Sequence, residues 1–63
     1  MTLDAAKLYI DKKVFYLGEI HTIKNVTQCG YGSNVIVAHL ENGFVGNILI
    51  MKNPDTGKFL GDS

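Results

Sequence analysis

The chain has 63 residues, of which 46% are hydrophobic, and its six lysines balance six acidic residues to a formal net charge of zero. A chain of this length has room for one modest core, because it buries only about 60% of the surface that it exposes when unfolded. The hydrophobic fraction excludes a disordered chain, and no apolar run approaches the roughly 20 residues of a membrane-spanning helix. We therefore expect residues 1–63 to form a single, complete small domain that does not enter a membrane.

The first ten residues are compatible with two secondary structures. Thr2 can cap a short helix that has Asp4 in its first turn. The apolar residues of that helix fall on one stripe: Leu3, Ala6 and Ile10. Alternatively, residues 8–10 form a strand that turns at residues 11–12. The capping pattern favours the helix, and the strand is the alternative.

Residues 13–27 are predicted to form one long or broken strand. The segment 14–17 is rich in residues that favour β-structure, and Gly18 allows a bend or a bulge. Ile20, Ile23 and Val26 are three residues apart, a spacing typical of a helix. Their β-branched side chains instead favour a strand whose facing switches at a bulge. Residues 28–34 are predicted to be a flexible loop, because two glycines free its backbone.

A β-hairpin is the strongest prediction in the second half of the chain. Asn42-Gly43 lies between two apolar runs and is typical of a two-residue hairpin loop. Such a loop pairs Leu40 with Val45, Ala38 with Asn47, Val37 with Ile48 and Ile36 with Leu49. One face then carries Ile36, Ala38, Leu40, Val45 and Leu49, and the other carries Val35, Val37, Phe44, Ile48 and Ile50. Because both faces are largely apolar, the hairpin is expected inside a small barrel, under a helix or against another chain.

The last part of the chain contains a turn and a short strand. Pro54 fixes φ and Gly57 tolerates a left-handed conformation, so residues 53–57 are predicted to turn. Residues 58–60 are predicted to be the last strand. Short strands between turn signals predict a mainly β fold, a small SH3-like antiparallel barrel of four or five strands with the short N-terminal helix added. The alternative is a three-stranded sheet with that helix across one face.

The residues capable of metal binding or nucleophilic catalysis do not form a recognised site. Cys29, His21 and His39 are the candidates, but they lack the spacing of a zinc site and no carboxylate cluster accompanies them. We therefore predict no cofactor, no metal and no enzymatic activity. Cys29 is expected to be a free loop cysteine, His39 to be partly buried in the sheet and His21 to face solvent. A single cysteine and the absence of a signal peptide predict a reducing cytoplasm.

Aromatic and basic residues are the candidates for binding. Tyr31 lies in the glycine-rich loop, and loops on rigid scaffolds often carry binding function. Phe15 and Tyr16 point to opposite faces of a strand. We assign Phe15 to the barrel packing and expect Tyr16 to form an aromatic–basic surface with Lys24, of a kind that binds peptides or stacks bases.

Two functions follow from these features. The first is a small non-enzymatic protein-interaction module, an adaptor, inhibitor or assembly subunit, that binds a protein partner or forms a homodimer through a strand edge or an apolar patch. The alternative is a nucleic-acid-binding small β-barrel. The absence of arginine and the zero net charge disfavour this alternative, although a fold can still gather lysines on one side. The candidate binding residues for both are Tyr16, Tyr31, Lys12, Lys13 and Lys24.

Overall fold

A computed structural model of the protein describes residues 1–30 and 35–60. Its fold is mainly β, with four antiparallel strands in the order β1-β2-β3-β4. The sheet curls into a half-barrel, which is consistent with the predicted small SH3-like barrel. The strands are β1 (Lys13–Tyr16), β2 (Glu19–Gln28), β3 (Ile36–Leu40) and β4 (Val45–Asn47). A short helix, α1 (Leu3–Ala6), precedes a first 3₁₀ turn (Lys7–Tyr9), and a second 3₁₀ turn (Ile48–Ile50) follows β4.

The N-terminal segment is helical, so the predicted helix is confirmed and the alternative strand at residues 8–10 is wrong. The Ala5 N–H donates to the Thr2 Oγ1 at 3.2 Å, which satisfies one of the free amides at the start of the helix. The predicted stripe faces the barrel, because Ala6 is fully buried and Leu3 and Ile10 pack against the core. None of the helices in the described part of the chain has the length and apolar character needed to cross a bilayer.

The segment predicted to be one long or broken strand is divided at Leu17-Gly18 and forms a hairpin. β1 and β2 pair from Lys13 opposite Thr22 to Tyr16 opposite Glu19, and only Leu17 and Gly18 separate them. Both loop residues have positive φ, 52° and 82°, as a twisted two-residue hairpin loop requires. Leucine is unusual at such a position, which is why the pattern of apolar residues conceals the turn.

A bulge in β2 switches the facing of the strand, but it lies at Lys24 and not at Gly18, where it was predicted, because Gly18 belongs to the β1–β2 turn. The pairing with β3 shifts between Ile23 and Asn25, so one extra residue, Lys24, is inserted there. Ile23 and Val26 are therefore both buried although they are three residues apart. Ile20 lies before the bulge and points outward, whereas its neighbour His21 points inward and is only 6% exposed. The expectation that His21 faces solvent is wrong.

The β3–β4 hairpin exists, but its predicted register is wrong by one residue. The Leu40 N–H donates to the Phe44 carbonyl at 2.8 Å, and the Gly43 N–H donates to the Leu40 carbonyl at 3.0 Å. The loop thus has three residues, and Gly43 closes it with a φ of 88°, a left-handed residue that follows a tight turn. The observed pairs are Val37 with Asn47, Ala38 with Gly46 and His39 with Val45.

The changed register alters which hairpin side chains enter the core. Val45 lies opposite His39 on the outer face and is exposed, rather than buried beside Leu40. The strand then ends at Asn47, whose Oδ1 accepts a hydrogen bond from the Leu49 N–H at 2.9 Å. The 3₁₀ turn that starts there buries Ile48 completely. The predicted pairs of Ile48 and Leu49 with β3 are therefore absent from the described sheet.

The predicted turn at residues 53–57 is confirmed. The Asn53 Oδ1 accepts from the Asp55 N–H at 2.8 Å, and the Gly57 N–H donates to the Asn53 carbonyl at 2.8 Å. The predicted last strand is reduced to a single bridge between Lys52 and Phe59. Lys52 also bridges Phe15 of β1, so these two short segments extend the half-barrel beyond β1.

The core lies inside the curled sheet. Side chains from the inner faces of the strands meet residues of α1, the second 3₁₀ turn and the C-terminal segment there. The buried cluster consists of Ala6, Val14, Ile23, Val26, Ile36, Ala38, Leu40, Ile48, Met51 and Leu60.

Candidate interaction surface

A row of four paired residues crosses the outer face of the half-barrel at β1. Ile20 lies opposite Phe15, Phe15 opposite Lys52, and Lys52 opposite Phe59. Residues directly opposite one another on neighbouring strands share a face. The adjacent pair, Val14 and His21, is buried, so this face is the outer one. We call Ile20, Phe15, Lys52 and Phe59 the outer row.

Backbone pairing holds the outer row in place. The Phe15 N–H donates to the Lys52 carbonyl at 2.8 Å, and the Lys52 N–H donates to the Phe15 carbonyl at 3.0 Å. On the far side of Lys52, the Asn53 N–H donates to the Lys58 carbonyl at 2.8 Å. Three strand spacings place the ends of the row about 14 Å apart. The row is therefore a preformed surface.

Three of the four members of the outer row are apolar and exposed to solvent. Ile20 is 54% exposed, and Phe15 and Phe59 are also exposed. The Lys52 Nζ lies 5.0 Å from the centroid of the Phe59 ring, within the range of a cation–π interaction. Contiguous exposed apolar surface is typical of contact sites, so the outer row is the candidate functional surface.

A groove lies next to the outer row. It has a volume of about 510 Å³ and separates residues 8–13 from the turn at residues 53–57. Two lysines and two aspartates line it together with apolar side chains, so its lysine charge is balanced. The charged residues are Asp11, Lys12, Lys13 and Asp55. Balanced charge gives this groove no preference for an anionic ligand.

The structure brings together three of the five predicted binding residues. Lys12, Lys13 and Lys24 lie at the same end of the β1–β2 hairpin, where the Lys24 Nζ is 3.9 Å from the Asp11 Oδ1. Tyr16 lies at the other end, beside the Leu17-Gly18 turn, and does not form a surface with Lys24. Tyr31 lies outside the described residues. The participation of these five residues in binding stays a prediction.

The assignment of Phe15 and Tyr16 to the two faces is reversed in the structure. Phe15 is exposed in the outer row, whereas Tyr16 is half-buried and packs against the core. A Cβ added to Gly46 would lie only 2.6 Å from the Tyr16 Oη, so the ring end occupies the space beside β4. The turn at Leu17-Gly18 is the feature that the sequence analysis missed. A hairpin predicted there would have paired Phe15 with Ile20 and indicated two apolar residues on one face.

The two histidines and the cysteine occupy different environments. His21 is buried and its Nε2 has no hydrogen-bond partner, since the Glu19 Oε2 is 3.6 Å away. His39 is half-buried, as predicted, and its Nε2 is 2.9 Å from the Thr27 Oγ1. Cys29 is exposed and unpaired, as expected. Within residues 1–30 and 35–60, no group of three or more His, Cys, Asp or Glu side chains is placed to hold a metal ion.

Comparison with known proteins adds no relative. No protein-family model, no curated protein and no solved structure matches this chain. The outer row and the charges around it are thus the features from which a function is inferred.

Proposed function

We propose that the protein is a small non-enzymatic interaction module, acting as an adaptor, inhibitor or assembly subunit in the cytoplasm. The observation that supports this proposal is the outer row, in which the exposed apolar residues Ile20 and Phe15 are direct neighbours and Phe59 follows on the far side of Lys52. Covering it with a protein surface stabilises a complex by roughly 25 cal/mol for each Å² of apolar area removed from water. The exposed, unpaired thiol of Cys29 suits a reducing compartment.

Either a partner protein or a second copy of the chain can cover the outer row. Self-association is measured by sedimentation velocity over a range of protein concentrations. Binding to a partner is measured by selecting peptides from a displayed random library with the immobilised protein, and then titrating the selected peptides in solution. The proposal expects at least one of these two measurements to give a complex.

A matched pair of variants tests whether the outer row is the contact. Ile20 is 54% exposed and Val45 is 56% exposed. Both are β-branched residues on the outer face of the sheet, and threonine preserves that branching. Ile20→Thr is expected to weaken the complex about fivefold, because it removes about 1 kcal/mol of apolar burial. Val45→Thr is expected to leave affinity almost unchanged, and equal effects of the two would contradict the assignment.

The position of Lys12, Lys13 and Lys24 at one end of the β1–β2 hairpin supports a second proposal, nucleic-acid binding. Asp11 contacts Lys24, and Asp55 lines the same groove as Lys12 and Lys13, so these carboxylates weaken the positive field. The test is fluorescence anisotropy of labelled single- and double-stranded DNA and RNA at two salt concentrations. Lys12→Glu and Lys13→Glu are expected to reduce both affinity and salt slope, with Lys7→Glu on the helical side as the control. Equal binding by all variants excludes this function for the lysine cluster.

A further inference from the structure

We propose that the outer row binds a polypeptide segment in which acidic side chains accompany apolar ones, and not a second copy of this chain. This inference rests on the proposed function and names the class of partner. Its basis is the charge that surrounds the exposed apolar side chains.

Two lysines lie on the same face as the apolar residues of the outer row. Lys52 is a member of the row, and its Nζ lies over the Phe59 ring on the outer surface. Lys13 lies two residues before Phe15 in β1 and therefore points to the same face. Neither ammonium group has an ion-pair partner among the described residues. Both charges are thus available to a bound partner.

The acidic residues near this face lie outside the outer row, and the side chains of Glu19 and Asp11 are 73% and 79% exposed. Glu19 precedes Ile20, but its carboxylate lies 3.6 Å from the Nε2 of the inward-facing His21. Asp11 is the partner of Lys24. Asp55 belongs to the turn at residues 53–57 and lines the neighbouring groove. Among the described residues, the charged groups on the face of the outer row itself are therefore Lys13 and Lys52, and the nearest carboxylates belong to neighbouring segments.

Positive charge makes the face unsuitable for a symmetric homodimer. A two-fold interface places the same patch of both subunits in contact, so the patch must be complementary to itself. The outer row with Lys13 offers two cations and no carboxylate for its own copy to pair with. Like charges facing each other oppose association, whereas opposite charges favour encounter and fix the register. The expected partner therefore supplies carboxylates.

The geometry also limits the spacing of groups on the partner. Adjacent members of the outer row are about 4.8 Å apart, and Lys13 is about 6.7 Å from Phe15 along the strand. A partner can pair with a lysine and cover an apolar residue of the outer row at the same time. It does so when one of its acidic side chains lies one or two positions along the same face from an apolar side chain. Acidic residues alone bind weakly, because exposed ion pairs contribute little, and apolar residues alone leave the lysines unpaired.

Selection from a random displayed-peptide library tests the charge preference directly. The complete chain serves as bait in its original form, as Lys13→Glu and as the control Lys7→Glu, after thermal unfolding shows that each variant is folded. The original chain and Lys7→Glu are expected to enrich peptides that combine Asp or Glu with apolar residues. Lys13→Glu is expected to lose this acidic preference and to bind the selected peptides about fivefold more weakly. The affinity of the original chain should fall as salt rises.

The alternative outcomes separate this inference from the proposed function. Neutral or basic peptides whose binding is weakened by Ile20→Thr overturn the inference and leave the interaction module standing. Self-association that Ile20→Thr abolishes likewise overturns the inference and leaves the interaction module standing. Acidic peptides that bind equally well to Ile20→Thr place the contact elsewhere and also overturn the inference. The absence of both selected peptides and self-association overturns the proposed function as well.

Discussion

At the scale of single residues, His21 is a buried polar side chain with an unpaired nitrogen. Its Nε2 is screened from water and neither accepts nor donates a hydrogen bond within the described structure. An unsatisfied buried group of this kind lowers the free energy of unfolding by about 1–3 kcal/mol. We predict that His21→Leu leaves the free energy of unfolding unchanged or raises it by about 1 kcal/mol, even though the ring contact with Phe44 at 6.1 Å is lost. Urea unfolding followed by circular dichroism measures the change. A loss of stability would show that the imidazole contributes more through packing than its orphaned nitrogen costs.

Gly46 has no side chain, and the neighbouring ring of Tyr16 occupies the space that a side chain would need. A Cβ at this position would lie 2.6 Å from the Tyr16 Oη and 2.9 Å from the Cζ, so the half-buried ring has to move. We predict that Gly46→Ala lowers the free energy of unfolding by about 1–2 kcal/mol. The cost should shrink when Tyr16→Leu is also present, because the shorter side chain leaves the space beside β4 empty. A double-mutant cycle measures this coupling, and additive effects would contradict the steric explanation.

At the scale of elements, the β1–β2 loop contains a residue that fits its backbone poorly. Leu17 has a φ of 52° and is 72% exposed, so it experiences the steric penalty of the left-handed region and gains little from burial. We predict that Leu17→Asn raises the free energy of unfolding by about 1 kcal/mol, since asparagine before glycine is preferred in such loops. Chemical unfolding measures the gain, and Leu17→Val serves as the control that should destabilise. Equal stability of the asparagine and valine variants would refute the turn argument.

The elements also show which structural features could be predicted from local sequence. The Thr2 cap and the turn at residues 53–57 were predictable, because each depends on neighbouring residues, whereas the change of facing in β2 was predicted at Gly18 and lies at Lys24. The β1–β2 hairpin was not, since Leu17 occupies a position usually held by asparagine or glycine. The register of β3 and β4 was missed because Asn-Gly also suits the observed three-residue loop, in which Gly43 alone has a positive φ. A shift of one residue was enough to move Val45 from the core to the surface.

At the scale of the whole molecule, the candidate surface depends on how the chain closes on itself. Phe15 and Ile20 are neighbours through a local hairpin, but Lys52 and Phe59 reach them only because the C-terminal segment returns to β1. No local pattern specifies this return, so sequence reasoning named Lys13 and missed three apolar members of the row as binding residues. The same closure brings Leu60 into the core, with a Leu60 N–H to Met51 carbonyl hydrogen bond of 3.0 Å. The binding surface and the stability of the fold are therefore linked.

The C-terminal segment that returns to β1 has an inward-facing and an outward-facing residue. We predict that the inward-facing residue controls stability and that the outward-facing residue serves binding. Leu60 is 4% exposed and its neighbour Phe59 is 41% exposed. Leu60→Ala should lower the free energy of unfolding by about 2–3 kcal/mol, as expected for a large-to-small change in a core. The free energy of unfolding of a domain of this size is only about 3–5 kcal/mol. The variant should therefore begin to unfold at a much lower temperature than the original chain.

Phe59→Thr is the matched control, because it changes the next residue of the same segment on the opposite face. It should lower the free energy of unfolding less than Leu60→Ala does, since Phe59 is 41% exposed and its side chain makes a cation–π contact with Lys52 on the outer surface, yet it should weaken partner binding as Ile20→Thr does. Thermal melts followed by circular dichroism, together with peptide titrations of both variants, measure the two effects. If Leu60→Ala melts like the original chain, the C-terminal segment does not close the core, and the position of Phe59 in the outer row loses its structural basis.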